Sequence, residues 1–253
     1  MESTANYKKV SVKVFINFED MARAFFDLIA EEILASMSLK QNYHLCLSGG
    51  STPLKMFEYL KSLPLNKMKW NYFHVFWGDE RCVPPDHPDS NYGNAHKTIL
   101  EFMRIPEANI HRIKGESDPE EESLRYENVL RNFLPKYSET PCFDMMILGL
   151  GEDGHTASIF PGQKSIIDTE RLVLPSVNSN NGQKRITLTP KIINNSKNIL
   201  FIVTGSSKAE VVSKIINRSD DYKSFPATIV DPVNGYLSWY LDIESAKFIE
   251  NKI

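Results

Sequence analysis

Apolar positions in this 253-residue chain switch repeatedly between two periods, alternation and helical spacing. Val10 to Ile16 alternates and is rich in β-branched residues, which predicts a strand. Asp20 to Met37 then carries Ala22, Phe25, Phe26, Ile29, Ile33 and Met37 at helical spacing. Tyr43 to Leu47 predicts a second strand, cut off by Ser48-Gly49-Gly50-Ser51-Thr52-Pro53, with Leu54 to Leu63 helical behind it and Ser51 or Thr52 as cap. Trp70 to Trp77 is a third, aromatic strand, and Ser90 to Met103 a helix whose start suits capping.

The same alternation continues to the end. Ile110 to Ile113 predicts a short strand. Ser117-Asp118-Pro119 opens a helix expected to bury Tyr126, Val129, Leu130, Phe133 and Leu134, with its acidic run Glu120 to Glu122 in solvent. Phe143 to Leu148 leaves no face for water and reads as a buried strand. Leu172 to Leu174 and Ile186 to Leu188 are further strands around a polar loop, Asn178 to Gln183, whose composition predicts mobility. Ile199 to Thr204 is a buried strand, followed by a helix marked by Val211, Val212, Ile215 and Ile216. Ala227 to Val230 and Tyr236 to Leu241 are predicted as closing strands, with a short helix from Ser245. Strands alternating with helices predict an α/β fold with one mostly parallel sheet covered on both faces. No linker or repeat divides the chain, so residues 1–253 are expected to form one domain.

Composition narrows the partners. A net charge of −3 argues against nucleic-acid binding through phosphate neutralisation, so an anionic ligand must be met by a few placed cations. Cys46, Cys82 and Cys142 are widely spaced with no zinc-type pattern, which fits a reducing cytosol. The polar stretch Met1 to Lys9 lacks a signal-peptide core, and no apolar run approaches membrane-spanning length. A cytoplasmic chain with no membrane partner, working as a monomer or weak homodimer, is expected.

The chemistry concentrates in loops after strands, where open α/β sheets bind ligands. Gly149, Gly151 and Gly154 let the backbone turn sharply, and Asp153 and His155 arrive together in that turn. Histidine titrates near neutral pH and is suited to a general base; Asp153 either orients it or caps the following helix. The Gly-x-Gly-x-x-Gly spacing comes too late in the chain for a dinucleotide fingerprint. Ser48, Gly49, Gly50, Ser51 and Thr52 form a second glycine-rich turn before a helix, either a phosphate site in outline or a plain tight turn. Asp79, Glu80 and Arg81 at the end of the third strand are either ligand groups or a local ion-pair and capping cluster, with at least one of the three structural. Lys208, in the first turn after Gly205-Ser206-Ser207, is either solvated or paired with an anion. His74 belongs to its strand and His87 to a surface loop, and His44, His96 and His111 lack comparable surroundings. No Gly-x-Ser-x-Gly elbow is present, which disfavours a covalent serine hydrolase, and nothing in the set demands a metal or another cofactor.

Taken jointly, Ser48 to Pro53, Asp79 to Pro84, Ser90 to Gly93, Gly151 to Pro161 and Arg185 to Thr189 resemble the 6-phosphogluconolactonase family over nearly the whole chain. The sister glucosamine-6-phosphate deaminases look similar in two of these turns. Their histidine, however, is followed by Ile-Ala-Phe-Asn-Glu and their Asp-Glu pair by tyrosine, where Thr156 to Phe160 and Arg81 stand here. The resemblance implies a three-layer α/β/α Rossmann-like sandwich without a nucleotide cofactor, and hydrolysis of 6-phospho-D-glucono-1,5-lactone. By matched position it implies His155 as general base and Arg81 as a substrate contact. It places the Ser48 to Thr52 turn, Arg185 and Lys208 around the phosphate, with Asp79, Glu80 and Gly151 in the same substrate site. A sugar-phosphate sensor on this fold would carry an additional DNA-binding domain, and none is visible.

Overall fold

The structure is a computed structural model in which residues 9–63, 70–137 and 139–250 are described; the polar N-terminal stretch lies, but for Lys9, outside them. Strand β1 (Lys9–Phe15) leads to helix α1 (Phe18–Ser38), whose first turn is capped by the Asn17 side chain accepting from the Asp20 amide. Then come β2 (Tyr43–Leu47), α2 (Ser51–Leu60), β3 (Phe73–Trp77) and β4 (Asp79–Arg81). Helix α3 (Asn91–Ala95) continues through a π turn into α4 (Glu101–Met103), followed by β5 (Ile110–His111) and α5 (Pro119–Phe133). A small hairpin, β6 (Lys136–Tyr137) and β7 (Thr140–Pro141), precedes β8 (Met145–Leu148) and α6 (Lys164–Ile167). The chain ends with β9 (Val173–Val177), β10 (Lys184–Leu188), α7 (Pro190–Ile193), β11 (Asn198–Val203), α8 (Ala209–Ile216) and β12 (Tyr236–Asp242).

Seven strands pair in the order β1-β12-β11-β8-β2-β3-β5, every pair parallel. Helices cover both faces, giving three layers. Alternation along β2 sorts the layers: Leu45 and Leu47 face α1 and α2 while His44 and Cys46 face the side of α5, and all are buried. Burial of each large side chain, such as Phe76 or Phe201, contributes about 1.5–3 kcal/mol, so this sheet is the main source of cohesion.

Several elements differ from the sequence reading. The residues Leu172–Leu174 and Ile186–Leu188 do not extend the parallel sheet; β9 and β10 join β4 in a separate antiparallel sheet of order β4-β10-β9. Trp70–Tyr72 is a 3₁₀ turn rather than strand. Pro226–Ile229 is likewise a 3₁₀ turn, because Pro226 has no N–H for a ladder and the Ala227 amide is committed to the Gly154 carbonyl at 2.9 Å. Beyond β12 the chain turns around Asp242, whose carboxylate accepts from the Ser245 amide, instead of forming a helix. In α5 the buried stripe is Ser123, Tyr126, Glu127 and Leu130, while Phe133 is 47% exposed. Glu122 is not solvated: it is buried, accepts from the Lys114 amide at 2.7 Å and pairs with Arg125.

Candidate active site

Strands β2, β3, β8 and β11 all end at one edge of the sheet, and the loops that leave them enclose a cavity of about 400 Å³. The turn after β2 supplies Ser48, Gly49, Gly50, Ser51 and Thr52. Helix α2 starts at Ser51 with Gly50 as its N-cap, at φ 103°, and no side chain caps it, contrary to the role expected of Ser51 or Thr52. Its first-turn amides are thus left for a ligand, and the helix dipole favours an anion there. Lys208, which opens α8, lines the same cavity, and its Nζ lies 3.7 Å from Glu152.

The loop after β8 carries His155. Its Nδ1 lies 2.5 Å from Asp153 Oδ1, which also accepts from the His155 amide at 3.1 Å. Burial pushes the Asp153 carboxyl up, but the His155 donors outweigh it and hold the group at about 2, so it is a carboxylate throughout the neutral range. Asp153 therefore orients the imidazole; the hydrogen bonds do not make it a helix cap. Gly151 is required by this packing, since a Cβ there would fall 2.0 Å from His155 Nδ1. The far side of the imidazole rests against Phe160, ring centroids 4.8 Å apart.

Asp79 and Arg81 reach the cavity from β4. Asp79 accepts from Ser158 Oγ at 2.6 Å and from Asn91 Nδ2 at 3.3 Å. Arg81 donates from Nη1 to the Asp89 carbonyl at 2.7 Å. Between them Glu80 points away: its carboxylate accepts from the Arg81, Asn91 and Tyr92 amides and from Ser90 Oγ, and it does not line the cavity. Burial raises the Glu80 pKa and those amides oppose it. Arg185 also stands outside the cavity lining, buried on β10 directly opposite Arg81 of β4. Burial and then the Arg81 guanidinium lower its pKa.

The structure thus brings together the Ser48–Thr52 turn, Asp79, Arg81, Gly151, His155 and Lys208, with Asp153 behind the histidine, and leaves Glu80 and Arg185 in the supporting layer. Asn91, Ala157 and Thr204 line the cavity and were missed in the sequence reading. Asn91 stands in the Ser90 to Gly93 stretch, which suits a helix start and shares in the family resemblance, but a polar residue beside a cap has no signal of its own as a cavity residue. The polar loop 178–183 is a hydrogen-bonded turn whose Asn180 and Gln183 side chains reach Asp153 at 3.5 Å and Asp89 at 3.0 Å.

Fold and site define a class: three-layer α/β/α proteins that work beyond the carboxyl ends of a parallel sheet, with a histidine–aspartate pair facing an amide-rich turn. Within it, the chain belongs to the family described as Glucosamine-6-phosphate isomerases/6-phosphogluconolactonase, whose family model matches residues 17–239. It is 39% identical to a 6-phosphogluconolactonase of Haemophilus influenzae over 93% of this chain and 99% of that protein. A Synechocystis 6-phosphogluconolactonase is 36% identical over 93% and 97% of the two chains. The solved 6-phosphogluconolactonase of Trypanosoma brucei superposes with a TM-score of 0.82 at 30% identity, covering 95% of this chain and 99% of that one. A monomeric glucosamine-6-phosphate deaminase shares the fold, with a TM-score of 0.75 at 22% identity over 95% and 99% of the two chains. Among the described residues no helix is long and apolar enough to cross a membrane.

Proposed function

We propose that this chain hydrolyses 6-phospho-D-glucono-1,5-lactone to 6-phospho-D-gluconate, the second step of the oxidative pentose phosphate pathway. The observation that carries the reading is the His155 imidazole, held through Nδ1 by an ionised Asp153 at the mouth of a cavity whose other wall is an uncapped helix start and Lys208. With Nδ1 committed, Nε2 is the nitrogen that takes a proton from water as the water oxygen attacks C1. The carbonyl electrons move to its oxygen, and Arg81 offsets that charge. When the intermediate collapses the C1–O ring bond breaks, and the leaving oxygen receives the proton from His155. The phosphate sits on the Ser48 to Thr52 amides near Lys208, and its binding energy fixes C1 against the water.

Deamination is the alternative chemistry in this family. Phe160, whose ring packs on His155, occupies the position of the extra carboxylate in the deaminase motif, which favours the lactonase reading. The proposal extends to the cytoplasm as location and to a monomer or weak homodimer as working unit, checked by cell fractionation and light scattering. The test of the reaction is hydrolysis of freshly generated lactone, corrected for its spontaneous opening, with ammonia release from glucosamine 6-phosphate assayed in parallel. Enzymatic opening without ammonia is expected; ammonia release would move the chain to deamination, and silence in both assays would overturn both.

A further inference from the structure

Ser158 has no part in the reaction as described, yet it spends every polar group it has on the small antiparallel sheet. Its Oγ donates to Asp79 Oδ2 on β4 at 2.6 Å, its amide donates to Thr187 Oγ1 on β10 at 3.1 Å, and its carbonyl accepts from Ser176 Oγ on β9 at 2.6 Å. One residue is therefore bonded to each of the three strands, and it is 1% exposed. The residue before it, Ala157, has φ 48°, a left-handed conformation that is unfavourable for alanine and is tolerated only where surrounding contacts impose it. That turn puts Ala157 on the cavity wall and aims Ser158 inward, three residues beyond the His155 base.

We propose that Ser158 is a positioning residue that sets the distance between the His155 imidazole and the Asp79 carboxylate, and that Asp79 so held grips the lactone's ring hydroxyls. The inference rests on the assignment of this cavity as the lactone site. Among the described residues this buried carboxylate has two side-chain donors, Ser158 and Asn91, and it keeps its orientation only while both remain. A sugar hydroxyl that donates to Asp79 needs the accepting oxygen lone pair at a fixed place, because misplacement near the reacting carbon is amplified in the rate. The charged and titratable groups around Asp79 are Glu80 and Arg81 on its own strand, Arg185 on β10 and Cys46 on β2. Glu152, His155 and Lys208 face it across the cavity. None of these replaces the Ser158 hydroxyl as a donor to Oδ2.

The test is a double-mutant cycle of Ser158→Ala and Asp79→Asn, read separately in kcat and KM of lactone hydrolysis, with His155→Ala measured beside it. Ser158→Ala is expected to keep its circular dichroism and to raise KM roughly tenfold while lowering kcat by less, because the Asp79 carboxylate loses the donor that fixes its orientation. In the Asp79→Asn background the same change is expected to add less than about twofold, since the effect travels through Asp79. Additive losses, or a Ser158→Ala enzyme with unaltered KM, would overturn the coupling while an inactive His155→Ala leaves the site assignment standing. Full activity in His155→Ala would overturn both.

Discussion

Two positions apart in a glycine-bounded turn, Asp153 and His155 pair through a contact that needs nothing but the local backbone, and that is why the pair is legible in the sequence. The role proposed for each sets the loss expected on its removal. His155→Ala should leave the fold intact and cut lactone hydrolysis by about 10²–10⁴-fold, the range a positioned general base supplies. Asp153→Asn keeps a hydrogen-bonding side chain but not the charge that stabilises an imidazolium, so kcat should fall by less than in His155→Ala, with KM nearly unchanged. Steady-state kinetics on both variants checks the order; equal losses would mean that Asp153 does more than orient. Ser158 marks the limit of such reading. Its partner Asp79 is 79 positions away, and a serine among small residues gives no sign of a partner that distant.

At the scale of elements, periodicity located β2, β8 and β11 within a residue or two because strands buried on both faces leave continuous apolar runs. It failed on short segments whose backbone partners lie far along the chain. Pro226–Ile229 looks like a strand by composition, yet it is a turn that braces the His155 loop through the Gly154 carbonyl. Asp79–Arg81, which the sequence places at the end of the third strand, is a separate strand, and its middle residue is the structural one of the three. Glu80 is 1% exposed and gathers four protein donors that hold the start of α3 against β4. Glu80→Ala strands the buried Asn91 amide and the part-buried Tyr92 amide, at a cost on the order of 1–3 kcal/mol for a buried group. Unfolding in urea should therefore show a loss of a few kcal/mol, several times that of Glu120→Ala on the exposed start of α5. A loss no larger than the control's would show that water replaces the carboxylate at no cost.

The whole molecule divides its polar groups between the two ends of the sheet. One end holds the cavity. Toward the other, β2, β3 and β5 place His44, His74 and His111 side by side, an arrangement that strand order creates and that no local motif announces. His44 is tied to Asp144 at 2.8 Å, and Asp144 in turn to Lys197 at 2.6 Å. His74 Nδ1 meets His111 Nε2 at 3.0 Å, a bond that requires one ring to donate and the other to accept. Burial, and then a neighbouring imidazole, lowers both to about 4. The unfolded chain binds these two protons near the ordinary histidine value of about 6.5, while the folded chain resists them until about pH 4. The unfolded state therefore holds more protons in that window, and stability falls as pH drops through it. The His74→Phe/His111→Phe double variant keeps the aromatic stack with Phe76 and Phe133 but has nothing to titrate there. Its urea midpoint should decline less steeply between about pH 6.5 and 4 than that of the parent, whatever its value at pH 7. Parallel slopes would place the acid sensitivity of the fold elsewhere, with the separately ion-paired carboxylates Asp144 and Glu127 as the next groups to replace.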